Sequence, residues 1–198
     1  MTEVTARDRP GGYHEDVIKV EDLIASKRPE ERATLDRPLN HLVACHRRIE
    51  DRLATLELAA SRLIDQPAEA IQAIQGCLRF FDTNGVMHTA DEEDSLFPRL
   101  ASGLSDEERV YLYGLKSQHI QAEAAYDALK RALANLRAAP RLTLHVVAGF
   151  SARVADLCAI YREHISSEDA RLPALGARIL SEADQAAIAA EMKRRRGL

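Results

Sequence analysis

The chain has 198 residues, of which 46% are hydrophobic, and a formal net charge of −4 at pH 7. This length can bury the core of one domain, and the negative charge gives no reason to expect nucleic acid as a partner. Three isolated cysteines argue against a disulfide scaffold and favour a reducing compartment. The first residues lack an apolar signal region, and no run reads as a bilayer span, so we expect a cytoplasmic protein without a membrane partner.

Residues 1–37 are predicted to form a flexible N-terminal arm. They are rich in charge, contain Pro10-Gly11-Gly12 and lack a sustained hydrophobic period, apart from a short apolar piece around residues 17–20. From Pro38, a good residue for the first turn of a helix, the pattern changes to helical periodicity.

Residues 38–175 predict four long amphipathic helices, because apolar residues recur at alternating steps of three and four. Leu42, Ile49, Leu53 and Leu56 show this period in the first helix. The expected boundaries are Pro38 and Pro67 around the first helix, Phe97-Pro98 at the end of the second, Ser105 with Glu108 as a capping box for the third, and Pro140 at the start of the fourth. Pro173 is expected to end or kink the fourth helix.

Residues 176–198 predict one further helix, starting at Ser181 and ending in the basic tail 193–196, which we expect to complement a helix C-terminus. Strand-like alternation is not evident. The expected fold is therefore all-α, an up-down-up-down four-helix bundle with an N-terminal arm and an extra C-terminal helix.

Four of the seven histidines lie on the predicted buried faces, one on each helix: His46, His88, His119 and His164. Neighbouring helices run in opposite directions, and at roughly 1.5 Å per residue the four fall within about 8 Å of one level along the bundle. His41 and His145 fall off the buried faces and His14 lies in the arm, so these three are predicted to be solvated or half-buried.

Carboxylates accompany these histidines at the same level. Glu92 follows His88 by four residues and Glu168 follows His164 by four, so each pair shares one helix face. Glu123 makes a third such pair with His119, but it sits beside the buried face. Glu93 and Asp169 are adjacent carboxylates, which we expect to make outer contacts rather than to bind a metal.

Burying these groups in an apolar core is costly unless something coordinates or pairs them. One tetrahedral zinc cannot use four histidines and two or three glutamates, whereas two six-coordinate ions, about 3.5–4 Å apart, would use them fully. The alternative is a set of satisfied polar core residues, and their agreement in level weighs against it. A metal site is the favoured interpretation.

The segments around these residues resemble the hemerythrin-like HHE cation-binding domain over roughly residues 38–175. They are Ala44-Cys45-His46-Arg47-Arg48-Ile49-Glu50, the run from His88 to Pro98, Gln118-His119-Ile120, and the run from Tyr161 to Asp169. The resemblance implies a four-helix bundle around two non-haem iron ions with an oxo or hydroxo bridge. Its implied iron ligands are His46, His88, Glu92, His119, His164 and Glu168, with the two glutamates as bridges.

The chain departs from the oxygen-carrying members of this family at Glu123, where they have a second histidine on the third helix. This departure puts simple oxygen carriage in doubt and leaves open whether Glu123 binds metal. The oxygen carriers also use an aspartate five residues after the histidine, here Asp169, as an alternative to Glu168, and we favour Glu168 because it lies on the buried face. Tyr161, one turn from His164, is the candidate for a hydrogen bond to a bound ligand.

The expected function is binding or sensing of oxygen, nitric oxide or peroxide, or iron handling, in a stress response. One alternative is a di-iron oxidoreductase, such as a ferroxidase, peroxidase or nitric oxide reductase. The other is a structural or interaction module stapled by a single metal. Whether the protein is an enzyme stays open at this point.

Overall fold

A computed structural model describes residues 35–198 of the chain. The predicted N-terminal arm, with its apolar piece around residues 17–20, therefore lies almost entirely outside the described residues. Within residues 35–198 the fold contains helices and no strand, which confirms the all-α prediction.

The bundle consists of four helical rods, which span residues 38–61, 67–101, 106–138 and 144–179, and a shorter helix follows them. The second rod is composite: three α-helices are joined by two π-helical turns, Phe81–Gly85 and Asp91–Leu96. The α-helices are α1 Pro38–Ser61, α2 Pro67–Phe80, α3 Val86–Ala90, α4 Phe97–Ala101, α5 Asp106–Ala138, α6 Leu144–Ile179 and α7 Glu182–Arg195.

The helix starts follow local capping chemistry. The side chain of Ser105 accepts a hydrogen bond from the backbone N–H of Glu108, so the predicted capping box is present. Ser181 forms the same kind of capping box with Asp184, at the predicted start of the last helix. The start predicted at Pro140 is wrong. Helix α6 begins at Leu144, because the side chain of Thr143 accepts from the backbone N–H of Val146 and caps the helix there.

Pro173 neither ends α6 nor marks the end of the bundle. The helix continues to Ile179, and Leu172, Leu175 and Gly176 around the proline are all buried. Packing of this last part of α6 against the core therefore outweighs the local cost of a proline inside a helix.

Two apolar clusters lie on either side of the level that the histidines share. On α1, Leu42 belongs to one cluster and Ile49 to the other, with His46 between them. On α5, Leu115 and Leu129 flank His119 in the same way. The polar layer is therefore enclosed by hydrophobic packing within the bundle.

His41 contradicts its prediction, because it is only 2% exposed. Helix α7 packs against α1, and the periodicity of the four bundle helices carries no information about that contact. Burial, followed by the charge of Arg196, lowers the pKa of His41 to about 3, so its imidazole is neutral at pH 7.

Helix α6 is long and apolar enough, by length and composition, to cross a membrane, which the sequence interpretation had not anticipated. A single helix of this kind is weak evidence of a membrane span, because a core helix of a water-soluble protein passes the same test. Here α6 packs against α1 and α5 and carries His164 and Glu168.

Candidate metal centre

The structure brings together six side chains that were predicted to bind metal, and each of the four rods contributes. His46 comes from α1, and His119 from α5. The composite second rod supplies His88 and Glu92, and α6 supplies His164 and Glu168. His119 is partly exposed, whereas the other five side chains are buried. The two glutamates are fully inaccessible to solvent.

These six residues form two overlapping groups that could each hold an ion. Within each group the candidate ligand atoms all lie within 4.8 Å of one another. The first group contains His46, His88, Glu92 and Glu168, and the second contains Glu92, His119, His164 and Glu168. Both carboxylates therefore belong to both groups, and each group adds two imidazoles of its own.

The carboxylates lie between the imidazoles of the two groups. Oε1 of Glu92 is 3.3 Å from Nε2 of His88, and its Oε2 is 3.3 Å from Nε2 of His119. Oε2 of Glu168 is 3.1 Å from Nε2 of His46 and 3.2 Å from Nε2 of His164. Each carboxylate thus faces imidazoles from both groups.

Short distances do not make these contacts hydrogen bonds. Among the described residues, both carboxylate oxygens of Glu92 and of Glu168, and Nε2 of His46 and His88, are buried without a hydrogen-bond partner. Buried polar atoms are usually satisfied, and a buried charge without a partner is costly. The burial of these unpartnered atoms therefore fits a site that binds a cation.

Outer hydrogen bonds orient three of the four imidazoles. Nδ1 of His46 lies 2.7 Å from Oδ1 of Asp169, and Nδ1 of His119 lies 2.7 Å from Oε1 of Glu93. Nδ1 of His164 lies 3.1 Å from Oε1 of Gln118. An Nδ1–H donated to these oxygens leaves the Nε2 lone pair directed at the centre. Glu93 and Asp169 thus make the outer contacts that were expected of them.

The distance between two imidazole nitrogens indicates that the centre needs a positive charge. Nε2 of His119 and Nε2 of His164 are 3.0 Å apart. With both Nδ1 atoms donating outward, two neutral rings would oppose their lone pairs at this distance. A proton or a metal ion is needed to relieve that repulsion.

In the metal-free protein, protons meet part of this need. Burial lowers the pKa of His46, but its contacts with Glu168 and Glu92 outweigh burial and raise it to about 10. Burial likewise opposes protonation of His119, yet Glu92 and Glu93 raise its pKa to about 9. His88 is different: burial lowers its pKa, so it stays neutral.

Glu123 stands apart from the other predicted ligands. Its side chain is exposed and belongs to neither group of ligand atoms. It lines a cavity of about 470 Å³ that lies between the second rod and α5 and reaches His88, His119 and His164. In the structure Glu123 is therefore part of the approach to the centre.

Tyr161 lines the same cavity. Its ring packs against Phe81, with centroids 5.3 Å apart, and burial raises its pKa to about 12. The hydroxyl is thus protonated at pH 7 and makes no hydrogen bond to another residue in the described part of the chain. It is available as a donor to a molecule in the cavity.

The π-helical turn Asp91–Leu96 was missed from sequence, although it carries both Glu92 and Glu93. Pro98 offers a physical reason, because a proline lacks an N–H and its ring clashes with the carbonyl four residues earlier, here that of Asp94. Widening the preceding turn relieves this clash, and π-helical turns of this kind are frequent at functional sites.

The chain belongs to the family described as hemerythrin HHE cation binding domain, whose model matches residues 37–175. The match covers all four rods up to the last turn of α6. Comparison with curated proteins and with solved structures gave no match. The family and the clustered histidines and glutamates together indicate a metal-binding protein.

Replacing His164 by alanine removes one imidazole from the second ligand group. Loss of an outer partner of a metal ligand usually lowers metal affinity about 10–100-fold. We therefore expect the loss of a direct ligand to lower it by more than about 100-fold. His145→Ala is the matched control, because His145 is exposed on the same helix. Metal titration of both variants checks this, and equal losses would contradict the assignment of the buried layer as the metal site.

Proposed function

We propose that the protein holds two non-haem iron ions at this centre and uses them to bind or sense oxygen, nitric oxide or peroxide, or to handle iron, in a stress response. The observation that carries the proposal is the pair of ligand groups that share Glu92 and Glu168. Two ions bridged by two carboxylates would give every orphaned ligand atom a partner.

The donor set favours iron over zinc. Each group offers two imidazole nitrogens and shares two carboxylates, which leaves open positions on an ion that prefers six ligands. Structural zinc is usually closed by four ligands in a tetrahedron, often including thiolates. The cysteines are free and buried, and none belongs to either ligand group.

Iron at this centre would supply reversible redox change and open positions for a small ligand. The protein's own residues do the remaining work. Asp169, Glu93 and Gln118 hold three imidazoles in their ligating orientation. The cavity gives a small molecule access beside His119 and His164, and Tyr161, which lines the same cavity, would supply a hydrogen-bond donor.

A second candidate function is oxidation of ferrous iron by oxygen or peroxide, which would accept the electrons, and the charge of the cavity favours it. Carboxylates of Asp82, Glu93, Asp94, Glu123 and Asp127 line the cavity, whereas Lys130 is the one Lys or Arg among its lining residues. A negative lining attracts cations rather than anions. Stopped-flow measurement of Fe²⁺ oxidation tests this candidate, and an unchanged rate relative to free Fe²⁺ would remove it.

Elemental analysis and an optical spectrum of the protein as purified test the main proposal. We expect about two irons per chain, because there are two ligand groups, and the visible absorption of an oxo- or hydroxo-bridged ferric pair. A colourless protein with one zinc per chain would overturn it and favour a metal that merely staples the bundle.

Metal binding is expected to release protons at pH 7. In the metal-free protein the pKa values of His46 and His119, about 10 and 9, keep both imidazoles protonated, and a metal ligand must be deprotonated. Affinity therefore rises with pH, and metal is lost on acidification. Calorimetric titration in buffers of different ionisation enthalpy measures the released protons. Metal content that stays constant down to about pH 4 would contradict this expectation.

Tyr161→Phe removes the hydroxyl and leaves the packing against Phe81 in place. We expect unchanged iron content, because the hydroxyl touches no ligand atom, but weaker binding of nitric oxide, since a bound ligand would lose a hydrogen bond worth about 1 kcal/mol. Nitric oxide titration of the iron-loaded protein checks this. Tyr126→Phe is a useful comparison, because the Tyr126 hydroxyl already donates to the Leu78 carbonyl and to Asp82.

A further inference from the structure

Helix α7 lies beyond the part of the chain that matches the family, since the match ends at residue 175. It nevertheless packs directly on the π-helical turn Asp91–Leu96, the segment that carries Glu92. The last turn of α7 and the residue after it place two arginines, Arg195 and Arg196, against this segment.

Both arginines bind the carboxylate of Asp91, which is completely buried. Nη1 of Arg195 donates to Oδ1 of Asp91 at 2.9 Å, and Nη2 of Arg196 donates to Oδ2 at 2.7 Å. Exposed ion pairs contribute little, but a fully buried carboxylate must be paired to be tolerated. These two contacts are therefore structurally significant.

The remaining contacts hold the far end of the same turn. Nη2 of Arg195 donates to Oγ of Ser95 at 2.8 Å. Arg99 donates at 2.8 Å to the carbonyl of Ser95 and forms a forked pair with Glu191 of α7, at 2.9 and 3.0 Å. The C-terminal segment thus contacts the π-helical turn at both its first residue, Asp91, and its fifth, Ser95.

Asp91 immediately precedes Glu92, and Glu93 follows. A π-helical turn is a rare conformation with weaker intrinsic support than an α-helical one. A shift of Asp91 would move the backbone that aims Glu92 at both ligand groups and Glu93 at His119. Contacts from α7 restrain that backbone, in addition to the contact of Glu93 with His119 and the core packing of Leu96.

We propose that Arg195 and Arg196 are positioning residues of the metal centre, which hold Asp91 so that the π-helical turn presents Glu92 to both ions. The inference rests on the proposed metal binding. It makes the C-terminal helix part of the site rather than an appendage of the bundle.

The test compares the full-length double variant R195Q/R196Q with the wild type. We expect iron affinity, measured by competition with a chelator, to fall about 10–100-fold, the range for loss of an outer partner, and the visible band of the iron-loaded protein to shift. Arg194→Gln is the matched control, because Arg194 lies in the same turn of α7 and is exposed. It should behave as the wild type.

The triple variant D91N/R195Q/R196Q separates positioning from simple stabilisation of the fold. Removing the arginines alone leaves a buried charge unpaired, whereas asparagine in place of Asp91 removes that charge. We expect the triple variant to recover thermal stability while iron affinity stays low. Recovery of affinity together with stability would overturn the proposal, because the arginines would then act through folding alone.

Measurements on the wild-type protein distinguish failure of the positioning role from failure of the proposed function. Iron loading of the wild type with unchanged affinity in R195Q/R196Q would overturn the positioning role and leave the proposed function standing. A wild-type chain that takes up no iron would overturn both.

Discussion

The rest of the centre depends on two carboxylates, Glu92 and Glu168, which have no access to solvent. An unpaired negative charge in a protein core is among the most expensive features a fold can carry. Four imidazoles surround the pair, and without metal two of them, His46 and His119, are protonated because the carboxylates raise their pKa values. Protons and metal ions thus compete for the same imidazole nitrogens, so metal affinity depends on pH.

The bundle keeps this polar layer rigid by enclosing it. Apolar clusters pack above and below, so the rods that carry the ligands have little freedom to slide. Outer acceptors then fix the rings, with Asp169 and Glu93 each 2.7 Å from an imidazole Nδ1. Orientation by such outer partners tunes ligand basicity as well as direction. The open side is the acidic cavity, which Glu123 lines together with His88, His119 and His164.

Helical periodicity was enough to predict which faces are buried, and therefore which histidines meet. His46, His88, His119 and His164 could be identified from sequence because phase and level along a bundle follow from residue spacing alone. Spacing could not reveal features that depend on the contacts of α7, and for that reason His41 was wrongly predicted to be at least half exposed. The π-helical turn was also missed, although the clash expected from Pro98 was a usable signal.

Asp91 and Glu92 are adjacent, equally buried carboxylates that the fold treats in opposite ways. Two arginines bind Asp91, and their planar, permanently charged groups satisfy both of its oxygens. Glu92 receives no such donor and keeps both oxygens available. Without these arginines, Asp91 would carry an unpaired charge in the core. Pairing Asp91 with guanidinium groups therefore leaves Glu92 as the carboxylate that is free to bind metal. The two arginines lie at the end of α7 and directly after it, outside the residues that match the family.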